Sequence, residues 1–122
     1  VCGTLAMCEA FVDHVAASER KLIVNISSGN GSFGWDRGQG DYPYDSTKAA
    51  LNVLTKGLSV DLKGRGITVM CMTPGNVQTD MTGPNAMITP LESITGMRAV
   101  IDGLDMSKTG TFWRYNGEAM PW

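Results

Sequence analysis

Leu22-Ile23-Val24-Asn25-Ile26-Ser27-Ser28-Gly29 is a short β-branched run with the charged Glu19, Arg20 and Lys21 before it and a small polar turn after it. A second run, Ile67-Thr68-Val69-Met70-Cys71-Met72, stops at Pro74-Gly75. Both read as strands of the kind buried on two faces, because the apolar residues are consecutive rather than alternating. Between them, residues 44–62 read as one long helix, with Ala50, Leu54, Leu58 and Leu62 on one face and Gly64 and Gly66 closing it. Strand, crossover helix, strand is the unit that builds parallel sheets, and its connection is expected to be right-handed.

Working outward, Leu5, Cys8, Phe11, Val12, Val15 and Ala16 recur at spacings of three and four and predict a helix over residues 5–18. Residues 77–90 carry turn formers and little periodicity. Residues 91–104 regain a helical pattern through Ile94, Met97, Val100, Ile101 and Leu104, with Thr89-Pro90 and Glu92 as its start signal. Residues 111–115 alternate and are aromatic, which predicts a short last strand before an Asn116-Gly117 turn. The alternation implies an α/β fold, a Rossmann-like parallel sheet with crossover helices. It is a partial one: residues 1–122 read as a single partial domain, the C-terminal half of a doubly wound fold without its dinucleotide-binding half. The chain opens at Val1 in apolar material, without a methionine, and so reads as part of a longer chain. On that reading the strand at Leu22–Ile26 exposes a row of unpaired backbone groups along one edge.

Composition narrows the functions available. The 122 residues are 43% hydrophobic and 18% charged, enough apolar material for one core. A net charge of −2 and scattered basic residues leave no cationic stripe for nucleic acid or anionic lipid. The apolar runs fall far short of the roughly 20 residues of a membrane span. Cys2, Cys8 and Cys71 form an odd set without Cys-x-x-Cys spacing, and with one histidine they point away from disulfides and zinc, towards a cytoplasmic protein.

Gly29-Asn30-Gly31-Ser32-Phe33-Gly34 satisfies the G-x-G-x-x-G pattern of a dinucleotide-phosphate loop. That loop works because its third glycine opens a helix whose N-terminus receives the pyrophosphate. Here the chain continues Trp35-Asp36-Arg37-Gly38-Gln39-Gly40-Asp41, which disfavours a helix, so residues 29–41 read as a flexible loop instead. Trp35 in it either lines an opening or anchors the loop. His14 reads as an exposed helical residue, and most of the eight methionines as core filling.

Three residues are candidates for chemistry, though each has an ordinary reading as a turn serine, a helix-start tyrosine or a solvated lysine. Tyr44 and Lys48 are four apart at a helix start and therefore share a face. A lone phenol titrates near pH 10, and a cation about 4 Å away at an effective dielectric near 20 stabilises its anion by about 4 kcal/mol. Ser28 falls at the carboxyl end of a strand, where open α/β sheets place ligands, and its hydroxyl can donate to a carbonyl oxygen. Ser27 or Ser32 could compete for that role, because Ser28 and Tyr44 are sixteen residues apart.

Asn25-Ile26-Ser27-Ser28-Gly29, Tyr44-Asp45-Ser46-Thr47-Lys48-Ala49-Ala50-Leu51, and Gly66-Ile67-Thr68-Val69 leading to Pro74-Gly75-Asn76-Val77-Gln78-Thr79-Asp80-Met81 resemble, in order and spacing, consecutive signatures of the short-chain dehydrogenases/reductases. The ending, Gly110-Thr111-Phe112 through Tyr115-Asn116-Gly117-Glu118 to Pro121-Trp122, is similar to that family's C-factor-like carbonyl reductase branch. The resemblance implies an NAD(P)-dependent oxidoreductase interconverting a small carbonyl and its alcohol. Tyr44 would be the acid/base, Lys48 would act on it and bond the nicotinamide ribose, and Ser28 would hold the substrate. Pro74, Gly75, Val77 and Thr79 would line the nicotinamide end of the cofactor, Thr79 towards its carboxamide or phosphates. The cofactor is NADP or NAD; the residues that choose between them lie in a part of the family pattern upstream of Val1, as does the family's structural asparagine. The resemblance further implies a homodimer or homotetramer pairing through the two long helices. The alternative function is a non-catalytic regulatory or oligomerising protein on the same scaffold.

Overall fold

The computed structural model describes residues 1–36, 38 and 40–122. Its elements run α1 (Cys2–Ala17), β1 (Leu22–Ile26), α2 (Tyr42–Asp61), β2 (Thr68–Thr73), α3 (Pro90–Asp102), β3 (Phe112–Arg114) and β4 (Ala119–Met120), with short 3-10 turns at Gly29–Gly31, Lys63–Arg65 and Met106–Lys108. Among the described residues the strands form one sheet in the order β1-β2-β3-β4. β1, β2 and β3 are parallel, with Val24 opposite Met70 and Cys71 opposite Phe112, and β4 turns back antiparallel to β3. The α/β parallel sheet with crossover helices is thus as the sequence implies.

Period-two alternation along β2 sends its side chains to two different layers. Met70 and Met72 join Met97 of α3, with Val24, Val100, Ile101, Leu104, Trp113 and Tyr115 packed around them. Cys71 faces the other way, with Phe112, Met120 and Trp122, on the side where Thr55 and Asn52 of α2 reach it. Every residue of β2 is buried, which places its carboxyl end at the centre of the molecule.

Four expectations need correction. β1 lies at the edge of the sheet, as its expected unpaired side implied, but it is not buried on both faces: Leu22, Ile23 and Val24 are half-buried and Ile26 is 46% exposed. α2 begins at Tyr42, two residues early, because Asp41 caps it by accepting the Tyr44 N–H at 3.3 Å and Pro43 fits the first turn, where no backbone N–H is required. The face α2 turns to the sheet carries Leu51, Asn52, Thr55 and Ser59, whereas Ala50 is exposed and Leu54, Leu58 and Leu62 are half-buried at its flank. In α3 the inward position is Ser93, and Ile94 points out at 52% exposure. Asn116-Gly117 does make the predicted turn, with Gly117 at φ 85, and the two-residue β4 beyond it was too short to leave a periodic signal.

Candidate functional site

Parallel strands gather their carboxyl ends on one edge of the sheet, and the turns leaving β1, β2 and β3 meet there. The turn after β1 lies directly on α2. A Cβ placed on Gly31 would come within 2.7 Å of the Lys48 carbonyl carbon, so only a glycine permits this approach. Gly29 and Gly31 belong to a 3-10 turn and no helix opens at Gly34, so the phosphate-loop pattern is a coincidence of composition, as its context predicted. Arg37 and Gln39 of that loop lie outside the described residues.

Tyr44 and Lys48 meet one turn apart on α2: the Lys48 ammonium stands 5.6 Å from the centroid of the Tyr44 ring. The same ammonium donates to the Ile26 carbonyl at 3.4 Å, which fixes it against the end of β1. Of its three N–H donors this uses one, and both residues are half-buried rather than sealed. Ser28 is held between contacts onto the same lysine. Ile26 precedes it, the Ser27 hydroxyl reaches the Lys48 carbonyl at 3.4 Å, and Gly31 follows on the Lys48 backbone.

The competing serines are engaged elsewhere. Ser27, 3% exposed, donates to the Asn52 carboxamide oxygen at 2.6 Å. Ser32, 2% exposed, donates to the Pro121 carbonyl at 2.8 Å and accepts the Trp35 N–H. Ser28 is half-buried, and its hydroxyl accepts the Asn30 N–H at 3.2 Å, leaving its proton for a further partner. Trp35 anchors the loop: its ring covers Gly29 and lies 5.4 Å from the Arg114 guanidinium.

Pro74 and Gly75 leave β2 beside this group. Ser93 of α3 donates to the Pro74 carbonyl at 2.6 Å, and Gly75 takes φ 85 with Tyr115 and Ile88 against its Cα. Val77 is tied to Ile88, where the Gln78 N–H donates to the Ile88 carbonyl at 2.8 Å. Thr79 is exposed, its hydroxyl 3.0 Å from that of Thr82, whose own hydroxyl also reaches the Val77 carbonyl. Gln78, Thr79, Asp80, Gly83 and Pro84 border an open cavity of about 550 Å³. The donor set around β1 and β2 fits the ribose and carboxamide of a nicotinamide nucleotide: free ammonium N–H groups at Lys48 and threonine hydroxyls at the loop. The Asp80 carboxylate at that cavity opposes a phosphate there.

Sequence reasoning missed a buried polar cluster beneath these residues. Asn25 donates to the Thr55 hydroxyl at 2.9 Å, Thr55 to the Leu51 carbonyl, and the Cys71 thiol contacts both Thr55 and Asn52. Burial pushes the Cys71 thiol up to about 11, partly offset by the Thr55 hydrogen bond and the Lys48 charge. The signal was present: Lys48, Asn52, Thr55 and Ser59 form a polar stripe at helical spacing, which faces the sheet rather than solvent.

The profile of the short chain dehydrogenase family matches residues 1–87, and the chain belongs to that family. Among individual relatives, C-signal of Myxococcus xanthus is 35% identical over 120 residues, covering 98% of this chain and 72% of its own. An uncharacterized oxidoreductase of Schizosaccharomyces pombe is 32% identical, over 99% of this chain and 54% of its own. Of solved structures, the NADPH-bound carbonyl reductase from chicken fatty liver superimposes with a TM-score of 0.88 at 32% identity, over 100% of this chain and 54% of that one. The carbonyl reductase Sniffer of D. melanogaster does so with 0.85 at 32%, over 94% and 50%. The chain therefore spans about half the length of most of these relatives. No helix among the described residues is long and apolar enough to cross a membrane.

Proposed function

We propose that this chain forms the catalytic part of an NAD(P)-dependent reductase that interconverts a small carbonyl compound and its alcohol. The observation that carries the reading is the Lys48 ammonium, 5.6 Å from the Tyr44 ring and bonded to the end of the strand that bears Ser28. When bound, the reduced nicotinamide supplies a hydride to the carbonyl carbon. Ser28 donates its hydroxyl hydrogen bond to the carbonyl oxygen and orients the substrate. Tyr44 gives its phenolic proton to that oxygen as negative charge develops, so carbonyl, hydride and proton together make the alcohol. Lys48 balances the charge left on the phenol and bonds the ribose hydroxyls. Pro74, Gly75, Val77 and Thr79 line the nicotinamide end, Thr79 towards the carboxamide rather than a phosphate, given Asp80 beside it. Because a 32% identical relative of known structure is NADPH-bound, NADPH is the first cofactor to try, with NADH beside it.

The protein further pairs into a homodimer or homotetramer through α1 and α2, whose outer faces expose Met7, Phe11, Val53 and Val60 at 59, 49, 68 and 67%. Light scattering on the protein at its full natural length should give a multiple of the monomer mass; a monomer at micromolar concentration would reject the pairing. The reaction is tested with the same preparation, by oxidation of NADPH or NADH over a panel of small aldehydes and ketones. Turnover is expected with at least one of them. Silence across the panel with both cofactors would turn the reading to a non-catalytic scaffold.

A further inference from the structure

We infer that Asn52 is a positioning residue for the reaction proposed above, setting the distance between Ser28 and the Tyr44–Lys48 pair. Asn52 lies on α2 one turn beyond Lys48 and is 3% exposed. Its carboxamide bonds both flanks of Ser28. The oxygen accepts the Ser27 hydroxyl at 2.6 Å, and the nitrogen donates to the Gly31 carbonyl at 3.0 Å. Because a carbonyl can only accept, the Gly31 contact assigns which end of the amide is nitrogen. The oxygen takes a second contact at 3.5 Å from the Cys71 thiol, so β2 holds the same side chain in place. Its oxygen accepts the Ser27 hydroxyl and shares the single Cys71 thiol proton with Thr55, and one of its two N–H donors is used.

The consequence is mechanical. Ser28 stands in a five-residue bridge whose two ends, at residues 27 and 31, are tied to one side chain on the helix that carries Tyr44 and Lys48. Gly31 has no Cβ to hold the turn away from that helix, so without the amide the gap rests on the backbone contact and the two longer 3.4 Å contacts at Lys48. A reacting geometry misplaced by about 1 Å can lose about 100-fold in rate. Asn52 itself touches neither substrate nor cofactor in this scheme; it acts through Ser28.

The test uses the protein at full natural length and four forms: wild type, Asn52→Leu, Ser28→Ala and the double variant. Asn52→Leu should lower kcat about 10- to 100-fold while KM for the dinucleotide stays within about twofold. In the double variant the Asn52 change should cost less than about twofold beyond Ser28→Ala alone, since its effect runs through a hydroxyl already removed. Hydrogen exchange in Asn52→Leu should quicken at the Gly31 and Ser32 amides and stay unchanged at Val69 to Met72. Should Asn52→Leu not fold, Ser27→Ala removes the 2.6 Å bond, together with the longer 3.4 Å contact to the Lys48 carbonyl, and should repeat both the kcat loss and the non-additivity. Multiplying losses in the double variant, or exchange that quickens equally in β2, would overturn the inference and leave the proposed reaction standing. A wild type without turnover, whose Ser28→Ala form behaves identically, would remove the reaction reading itself and the inference with it.

Discussion

Cys71 shows what happens to a reactive group when the fold has no chemical use for it. It has no exposed surface, its thiol is bonded to Thr55 and Asn52, and burial lifts it to about 11. A thiol raised above its unfolded value, about 8.5, adds nothing unfavourable below that pH. Between there and about 11 the unfolded chain ionises while the folded one does not, so stability falls as pH rises through this window. At pH 8 an alkylating reagent should modify the exposed Cys2 and spare Cys71 until denaturant is added. Mass spectrometry of peptides reads this directly, and equal labelling of the two cysteines in native protein would contradict the burial described. Residues 28, 44 and 48 could be nominated from the sequence because the family signatures around them supply a hydroxyl, a phenol and an ammonium in order, and the structure brings Tyr44 and Lys48 together one turn apart. Asn52 sat in a polar stripe visible in the sequence, but that stripe could not be turned inward from the sequence alone, since a buried asparagine and a solvated one look alike until the helix's inner face is known.

At the scale of elements, the local signals that held were those with a stereochemical cause. Thr89, Pro90 and Glu92 start α3 as a complete capping box: the Thr89 hydroxyl accepts the Glu92 N–H at 3.2 Å, and the Glu92 carboxylate accepts the Thr89 N–H at 2.7 Å. Those bonds from Thr89, backbone first and hydroxyl second, hold the Glu92 carboxyl below its ordinary range. A depressed carboxyl adds stability that is present above its unfolded value, about 4.3, and lost as pH falls through the folded one. Thermal unfolding of Glu92→Gln should therefore show a shallower fall in Tm than wild type as pH drops below about 5. Identical slopes would mean that this cap contributes nothing measurable. The signal that failed was the apolar stripe of α2. Leu54, Leu58 and Leu62 keep a perfect helical spacing, yet the helix presents Asn52, Thr55 and Ser59 to the sheet because β1 and β2 offer Asn25 and Cys71 as partners there. Which face is inner depended on partners thirty and sixteen residues away, beyond the reach of a local pattern. β1 misled for a related reason: consecutive apolar residues specify a parallel strand, but how far its faces are covered depends on which elements pack on them.

Across the whole molecule, α1 and α2 cover one face of a mostly parallel sheet and α3 the other, and the turns at the carboxyl ends of β1 and β2 are each secured to a helix. Asn52 ties the first to α2 and Ser93 ties the second to α3. The proposed pairing of Tyr44 as proton donor with Lys48 as its cation on α2, working with Ser28 on the turn after β1, is the arrangement on which the account depends. It is tested most directly by Tyr44→Phe in the protein at full natural length, comparing NAD(P)H oxidation with a responsive carbonyl and dinucleotide binding followed by nicotinamide fluorescence. Loss of the phenolic proton should lower kcat by about 10²- to 10⁴-fold with the dinucleotide affinity within a few fold of wild type. A Tyr44→Phe protein that reduces the carbonyl as fast as wild type would contradict the assignment of the proton donor and, with it, the reaction built around it.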